Sequence, residues 1–355
     1  MVHMRKFKWG IALYFTLKSV KNLIILVMMV GNKMIVSKTP FRISFAGGLS
    51  DIRNYYYKNY GAVVSSTIDK YLYVMVNKKF DDNIQVNYSK IEITEEISQI
   101  QHPLVREVLK MMNINRNIEI TIMSDIPART GLGSSSSFTV GLLNALYAFK
   151  GEYKDSEALA REACHIEIDI LKEPIGKQDQ YASAYGGLNY IRFNADDTVN
   201  TIPINMRKET KKELEKNLLL FYTNLRRDAS SILSESSMNM ESHRTHVDQI
   251  KNLAEDIASS LRKNDLSQFG ELLHQGWIHK KQTGKVTNET IDAYYEKARE
   301  AGALGGKILG AGGGGFLLLY CPEKNQDRVA KALSGLKKIT FNFESGGSRI
   351  VCKEV

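Results

Sequence analysis

The residues with the most legible chemistry in this 355-residue chain are Gly131, Gly133 and the serines Ser134 to Ser137. They follow Ile126-Pro-Ala-Arg-Thr, itself preceded by Ile118 to Ile122, where apolar and polar residues alternate as in a half-buried strand. Beyond them, Phe138 to Phe149 is apolar at helical spacing and free of proline, so the serines stand where a helix begins. A helix N-terminus offers unpaired N–H groups and the positive end of its dipole, which favours an anion. Glycine lets the backbone approach that anion, and serine hydroxyls can bond phosphate oxygens or ligate Mg²⁺. One serine suffices for a helix cap; four in a row after Gly-Leu-Gly favour a phosphate site. No lysine follows the last glycine, so this is not the Walker loop.

Phosphoryl transfer also needs a group that orients or deprotonates the attacking hydroxyl, and a cation near the phosphates. Asp179 and Lys177, in Pro174-Ile-Gly-Lys-Gln-Asp-Gln-Tyr-Ala-Ser-Ala-Tyr-Gly-Gly187, can supply them, although alone they read equally as a helix cap and a solvated lysine. Near the start, the strand Phe41 to Phe45 ends in Ala-Gly-Gly and a polar turn carrying Asp51. Glycines at a strand end admit a ligand or another backbone. A carboxylate orients sugar hydroxyls well, and Asp51 is otherwise the cap of a helix starting near Ile52. Arg42 is a site residue or a structural ion pair. Gly310 to Gly315 formally fits Gly-x-Gly-x-x-Gly, but a strand, Phe316 to Tyr320, follows instead of a helix, which excludes the Rossmann reading.

These stretches, with Lys307-Ile-Leu-Gly-Ala-Gly-Gly-Gly-Gly315, resemble in type and order the motifs of the GHMP kinases (galacto-, homoserine, mevalonate and phosphomevalonate kinases), and the likeness covers nearly the whole chain. The resemblance implies an α+β fold with a ribosomal-protein-S5-like N-terminal lobe, a ferredoxin-like C-terminal lobe and ATP between them. It implies that Pro127, Gly131, Leu132, Gly133, Ser134, Ser135 and Ser136 surround the nucleotide phosphates, and that Ser135 and Glu167 hold Mg²⁺. Glu162 and Asp169 are the alternatives to Glu167; His165 lies on another helix face, so no metal pair is read there. Asp179 takes the catalytic position and Lys177 neutralises charge. Arg42, Asp51 and the loop at Gly312 and Gly313 fall to the substrate. Here the chain reads Gly-Gly-Leu-Ser-Asp where this group of relatives reads Gly-Gly-Gly-Thr-Asp. Arg227 matches a candidate for a remote phosphate, since arginine makes planar bidentate contacts, with Arg226 an equal neighbour. Gly176-Lys-Gln-Asp-Gln-Tyr-Ala182 resembles the D-glycero-D-manno-heptose 7-phosphate kinases. The expected reaction is ATP-dependent phosphorylation of that sugar's anomeric hydroxyl to the 1,7-bisphosphate, for nucleotide-activated heptose. Galactose, fucose or a uronic acid is the alternative substrate, and a non-catalytic sugar- and ATP-binding regulator the alternative function. Expected partners are ATP and a sugar phosphate, with a homodimer left open.

The elements that must position these residues are legible in outline. Gly61 to Val76, Ile84 to Val86 and Ile91 to Ile93 read as strands, Pro103 to Met112 as a helix, and Ser156 to Leu171 as one helix capped by Ser156 or Asp155. A strand pair around 188–203, a buried strand at 218–222 and helices over 229–302, with Trp277 in the core, come next. Two closing strands, 339–343 and 348–351, end the chain, with Arg349 solvated at an edge. There is no βαβ periodicity, so the pattern is α+β.

A hydrophobic content of 43% with 25% charged residues fits a soluble globular protein, as one large domain or two lobes. Three scattered cysteines give neither a disulfide framework nor a zinc site and suit a reducing cytoplasm. Of the net charge of +9, six positive charges lie in residues 1–33, which leaves +3 for the rest. That remainder, without an aromatic-rich basic stripe, argues against nucleic acid. Residues 1–33 lack a small-x-small cleavage site, and their second apolar run, Leu23 to Val30, is too short to span a membrane. The domains expected are an extension, 1–33, an N-terminal lobe, 34–205, and a C-terminal lobe, 206–355. Met34 precedes a strand-like segment and is the expected natural start. A protein beginning at Met34 should remain soluble and active; loss of either in expression and activity assays would overturn that start.

Overall fold

The computed structural model describes residues 34–225 and 229–353. The proposed extension and the candidates Arg226 and Arg227 lie outside those residues. The chain runs β1 (Met34–Ala46), α1 (Arg53–Tyr56), β2 (Tyr60–Lys78), β3 (Ile84–Asn87), β4 (Ile91–Thr94), α2 (Pro103–Met111), β5 (Ile118–Ser124) and α3 (Ser134–Phe149). It continues through α4 (Ser156–Cys164), α5 (Gln178–Tyr185), β6 (Leu188–Asn194), β7 (Val199–Pro203), α6 (Lys208–Asn217), β8 (Leu218–Tyr222), α7 (Ala229–Met238), α8 (Met240–Arg262) and α9 (Phe269–Lys281). Last come α10 (Glu289–Glu300), β9 (Gly305–Ile308), β10 (Phe316–Tyr320), α11 (Gln326–Ala332), β11 (Lys337–Ile339) and β12 (Arg349–Lys353).

Two sheets organise the molecule. In the first, β1 lies antiparallel to β2 from Met34 opposite Asn77 to Ala46 opposite Val64. The 19-residue β2 is shared: Leu72 to Lys78 pairs with β5, and Tyr60 to Ser66 pairs with β6. Its β-branched and aromatic residues suit that double use. The second sheet, in order β11-β8-β10-β9, is antiparallel throughout. Its two inner strands, Leu-Leu-Leu-Phe-Tyr222 and Phe-Leu-Leu-Leu-Tyr320, are apolar at every position, as strands covered on both faces must be.

Helix α3 is apolar on nearly all sides, with Phe138 to Leu143 and Ala145 to Tyr147 buried, which marks a central helix and not a surface one. It packs against β1 and β2. Burying its body fixes its N-terminus, and the serines there, at the mouth of the site.

Three expectations change. The helix expected over 156–171 ends at Cys164, and His165 to Ile170 forms a wider π-turn. Its cap is Asp155, whose carboxylate accepts the Ala158 N–H at 2.8 Å. The strand expected at 339–343 stops at Ile339, and Phe343 makes an isolated bridge to Ile68. Finally, β12 pairs with β1, so the last strand belongs to the first sheet although it lies in the expected C-terminal lobe. Arg349 at its start is paired with Glu344 at 3.0 Å. Trp277 is fully buried, as expected. Among the described residues no helix is long and apolar enough to cross a membrane.

Phe269 of α9 joins the two sheets: its buried ring meets Phe45 of β1 edge-on at 5.3 Å between centroids and Tyr320 of β10 at 5.1 Å. Phe269→Ala should destabilise the fold by about 3–5 kcal/mol, read from denaturant unfolding. A loss under about 1 kcal/mol would show that the sheets do not depend on this contact.

Candidate active site

Gly133 is the residue before α3 and adopts φ 79°, with no side chain capping the helix. The serines therefore do not serve as its N-cap. Ser134 Oγ accepts a long 3.4 Å contact from Arg129 N, whereas the exposed Ser135 donates to Glu167 Oε1 at 2.6 Å. Ser136 is buried, and so is Leu132, whose carbonyl accepts from Arg42 N at 3.2 Å. Pro127 is exposed at the far end of the loop, its carbonyl accepting from Thr130 Oγ1.

Asp179 lies directly on this loop. A Cβ added at Gly133 would sit a tight 3.1 Å from Asp179 Oδ2, and the positive φ there also favours glycine. The buried Arg42 grips Asp179 with both ends of its fork, Nε to Oδ1 and Nη2 to Oδ2, each at 2.7 Å. Its third donor, Nη1, bonds the Gly131 carbonyl at 2.6 Å. One guanidinium thus fixes the carboxylate and the loop together.

Three consecutive residues at the start of α5 each serve a different charge. Gln178 donates to Asp51 from its backbone N and its Nε2, both at 3.2 Å. Asp179 takes Arg42, and Gln180 Nε2 donates to Glu167 Oε2 at 2.6 Å. The two glutamines were missed in the sequence, where the Gln-Asp-Gln alternation was the available signal. Burial, followed by repulsion from Asp179, raises the Asp51 carboxyl to about 6. Burial also raises Glu167 to about 7, with Asp179 adding to it and the Ser135 and Gln180 hydrogen bonds opposing. Glu167 is fully buried and lies in the π-turn, a turn type frequent at functional sites. Its alternatives are engaged elsewhere: Glu162 accepts from Tyr147 Oη, and Asp169 faces His165 and Arg53.

Two of the expected groups of site residues have protein partners in the structure. The Lys177 ammonium is 2.8 Å from Asp197 Oδ1 and faces the Tyr56 ring, so its charge is matched by the β6–β7 turn. It lines a cavity of about 510 Å³ that Asp51, Arg53, Tyr56 and Tyr181 also border. The Gly313 N–H is bonded to Val286 O at 2.7 Å, and Gly312 packs closely against Val286. It is Leu309 and Gly310 that abut the phosphate loop: a Cβ at Gly131 would stand 2.5 Å from Leu309 O.

The raised Glu167 carboxyl makes the folded state hold a proton that the unfolded chain has released between pH 4.5 and about 7. Stability from this group is therefore lost as pH rises through that window. Glu167→Gln should raise the metal-free melting temperature at pH 8, by on the order of a few °C, and leave it unchanged at pH 4. A variant melting lower than wild type at pH 8 would show that the ionised carboxylate is well compensated.

Residues 100–187 match the GHMP kinases N terminal domain, and residues 257–338 match the GHMP kinases C terminal domain. The chain is 29% identical over 323 residues to a D-glycero-alpha-D-manno-heptose 7-phosphate kinase of Campylobacter jejuni, an alignment covering 85% of this chain and 93% of that one. The crystal structure of a D-glycero-D-manno-heptose 1-phosphate kinase from Bacteroides thetaiotaomicron superposes with a TM-score of 0.75 at 26% identity, covering 90% of this chain and 100% of that one. A Lactococcus lactis galactokinase complexed with galactose shares the fold at 18% identity, with a TM-score of 0.72 over 92% of this chain and 98% of that one. With the serine loop, Arg42 and Asp179 brought to one place, the chain carries the N-terminal and C-terminal domains of the GHMP kinases and is a kinase that transfers a phosphoryl group from ATP to an alcohol.

Proposed function

We propose that this kinase phosphorylates the anomeric hydroxyl of D-glycero-D-manno-heptose 7-phosphate, giving the 1,7-bisphosphate and ADP for nucleotide-activated heptose. The observation that carries a phosphoryl-transfer site is the Asp179 carboxylate, held bidentate by Arg42 against the Gly133 loop. In this reading Asp179 orients the attacking hydroxyl and accepts its proton, with direct in-line transfer and no covalent enzyme intermediate. The loop amides from Gly131 and the dipole of α3 cradle the nucleotide phosphates.

The donor set fits Mg²⁺: an exposed serine hydroxyl lies 2.6 Å from a buried carboxylate, both hard oxygen ligands. Ser135 and Glu167 would hold the ion, which would supply positive charge against the phosphates. Asp51 would take a sugar hydroxyl. Beside it the Gln178 Oε1 is a buried acceptor without a partner, the kind of group that a hydroxyl donor satisfies.

The heptose substrate is supported by the Campylobacter relative. The Bacteroides neighbour is named for a 1-phosphate, so the position of transfer needs its own test. ATP-to-ADP turnover with Mg²⁺ should be measured over free and phosphorylated sugars, with ³¹P NMR of the product. We expect turnover to be highest with the heptose 7-phosphate, a new anomeric phosphate, and a kcat about 10²–10⁴-fold lower for Asp179→Asn at similar melting temperature. Turnover confined to a free sugar would keep the kinase and sink the heptose assignment. Binding of ATP and sugar without turnover would favour a regulator.

A further inference from the structure

Two lysines lie buried behind the site, and among the described residues neither has a carboxylate within ion-pair distance. Lys307 of β9 is 7% exposed and donates to the Phe45 carbonyl at 3.2 Å. Lys280, in the last turn of α9, is 9% exposed and donates to the carbonyls of Ile308 at 3.1 Å and Gly310 at 2.6 Å. Burial pushes the Lys280 ammonium well below its ordinary range, and Lys307 and Arg42 push it the same way. A buried ammonium facing two other cations is unfavourable, and an apolar side chain of similar length would fill the space more readily. Its presence calls for a function.

The chain after Lys280 holds the same loop from a second point. Thr283 is fully buried and donates to the Lys280 carbonyl at 2.8 Å, while its own carbonyl accepts from Ser236 Oγ at 3.1 Å. Three residues on, Val286 O accepts the Gly313 N–H at 2.7 Å, and a Cβ at Gly312 would stand 2.6 Å from that same oxygen. Residues 280–286 therefore form a bracket around the glycine loop, gripping two carbonyls at its start and one N–H in its middle. The loop in turn presses on the phosphate loop, since a Cβ at Gly310 would lie 2.6 Å from Gly131 Cα.

We propose that Lys280 is a positioning residue for the nucleotide. Its ammonium turns the Ile308 and Gly310 carbonyls inward and clamps residues 310–313 against Gly131. In a trans peptide the Ala311 N–H then points away from the lysine. The polyphosphate so meets a surface of amides in place of carbonyl oxygens, and it brings anionic charge to a region where Lys280 and Lys307 are held on backbone carbonyls alone. The inference rests on the reading of Gly131 to Ser136 as the nucleotide loop.

The test compares wild type with Lys280→Met, Lys280→Arg and Gly312→Ala, the last breaking the bracket from the loop side. Two quantities are read: the rise in melting temperature on adding Mg·ATP, and the KM for Mg·ATP beside the KM for the best sugar of the panel. Lys280→Met should raise the nucleotide KM by about tenfold while moving the sugar KM by less than about threefold, and should lose most of the Mg·ATP-induced rise in melting temperature. Lys280→Arg should recover part of both, and Gly312→Ala should reproduce the nucleotide defect. An unchanged nucleotide KM in Lys280→Met overturns the inference, as does a fall in kcat alone that follows the folded fraction. Should Lys280→Met not fold, an unchanged nucleotide KM in Gly312→Ala overturns it. Wild type showing no response to Mg·ATP overturns the nucleotide reading and this inference with it; a wild-type response fully kept by Lys280→Met overturns the inference alone.

Discussion

The Arg42 guanidinium is the interaction on which the site depends. Its three bonds tie β1 to the start of α5 through Asp179 and to the phosphate loop through the Gly131 carbonyl. Gly131 and Asp179 are 89 and 137 residues from Arg42 in sequence, and the packing of β1, α3 and α5 on one another brings them together. Because the arginine side chain is 4% exposed, its bonds to Asp179 act in a medium that screens them little; Asp179, at 22%, keeps a face open toward the site. A planar fork also fixes direction, which a lysine at this position would not do.

Around that pair the site is built against stability. Asp51 and Glu167 are buried carboxylates whose partners are amides and a hydroxyl, and both are raised in pKa by burial and by Asp179. On the other side Lys280 and Lys307 are buried cations held on backbone carbonyls. Charges of both signs are kept apart within one region instead of neutralising each other. Such an arrangement costs folding free energy and provides preorganised groups for ions that arrive with the substrates. The cost is offset by the α3 core and by the aromatic contact of Phe269 with both sheets.

The α+β class, the strand-loop-helix around Gly131 and the order of the motifs were readable because each rests on local pattern: alternation, helical spacing, and glycine where the backbone must come close. The π-turn at His165 to Ile170 was not, since one extra residue in a helical turn leaves the apolar spacing almost intact. Nor was the return of β12 to the first sheet, because a short strand carries no record of which edge it will join. For Lys177 the sequence showed a cation two residues from Asp179, but a neighbour in sequence at a helix start points in another direction, and here it meets Asp197.

What the sequence determined by itself is the chemistry on offer: a glycine-serine loop at a helix start, a carboxylate after Pro-x-Gly, a second carboxylate after Ala-Gly-Gly, and a glycine-rich turn before a buried strand. What only the tertiary structure decided is which of those groups face one another. It gave Arg42 to Asp179, Gln180 to Glu167, Lys280 to the glycine loop, Lys177 to Asp197 and the Gly313 N–H to Val286. The reason is physical. Residue types and spacing set local conformation, whereas pairing of buried charges depends on distances across the core, and those exist only once the two sheets have closed on each other.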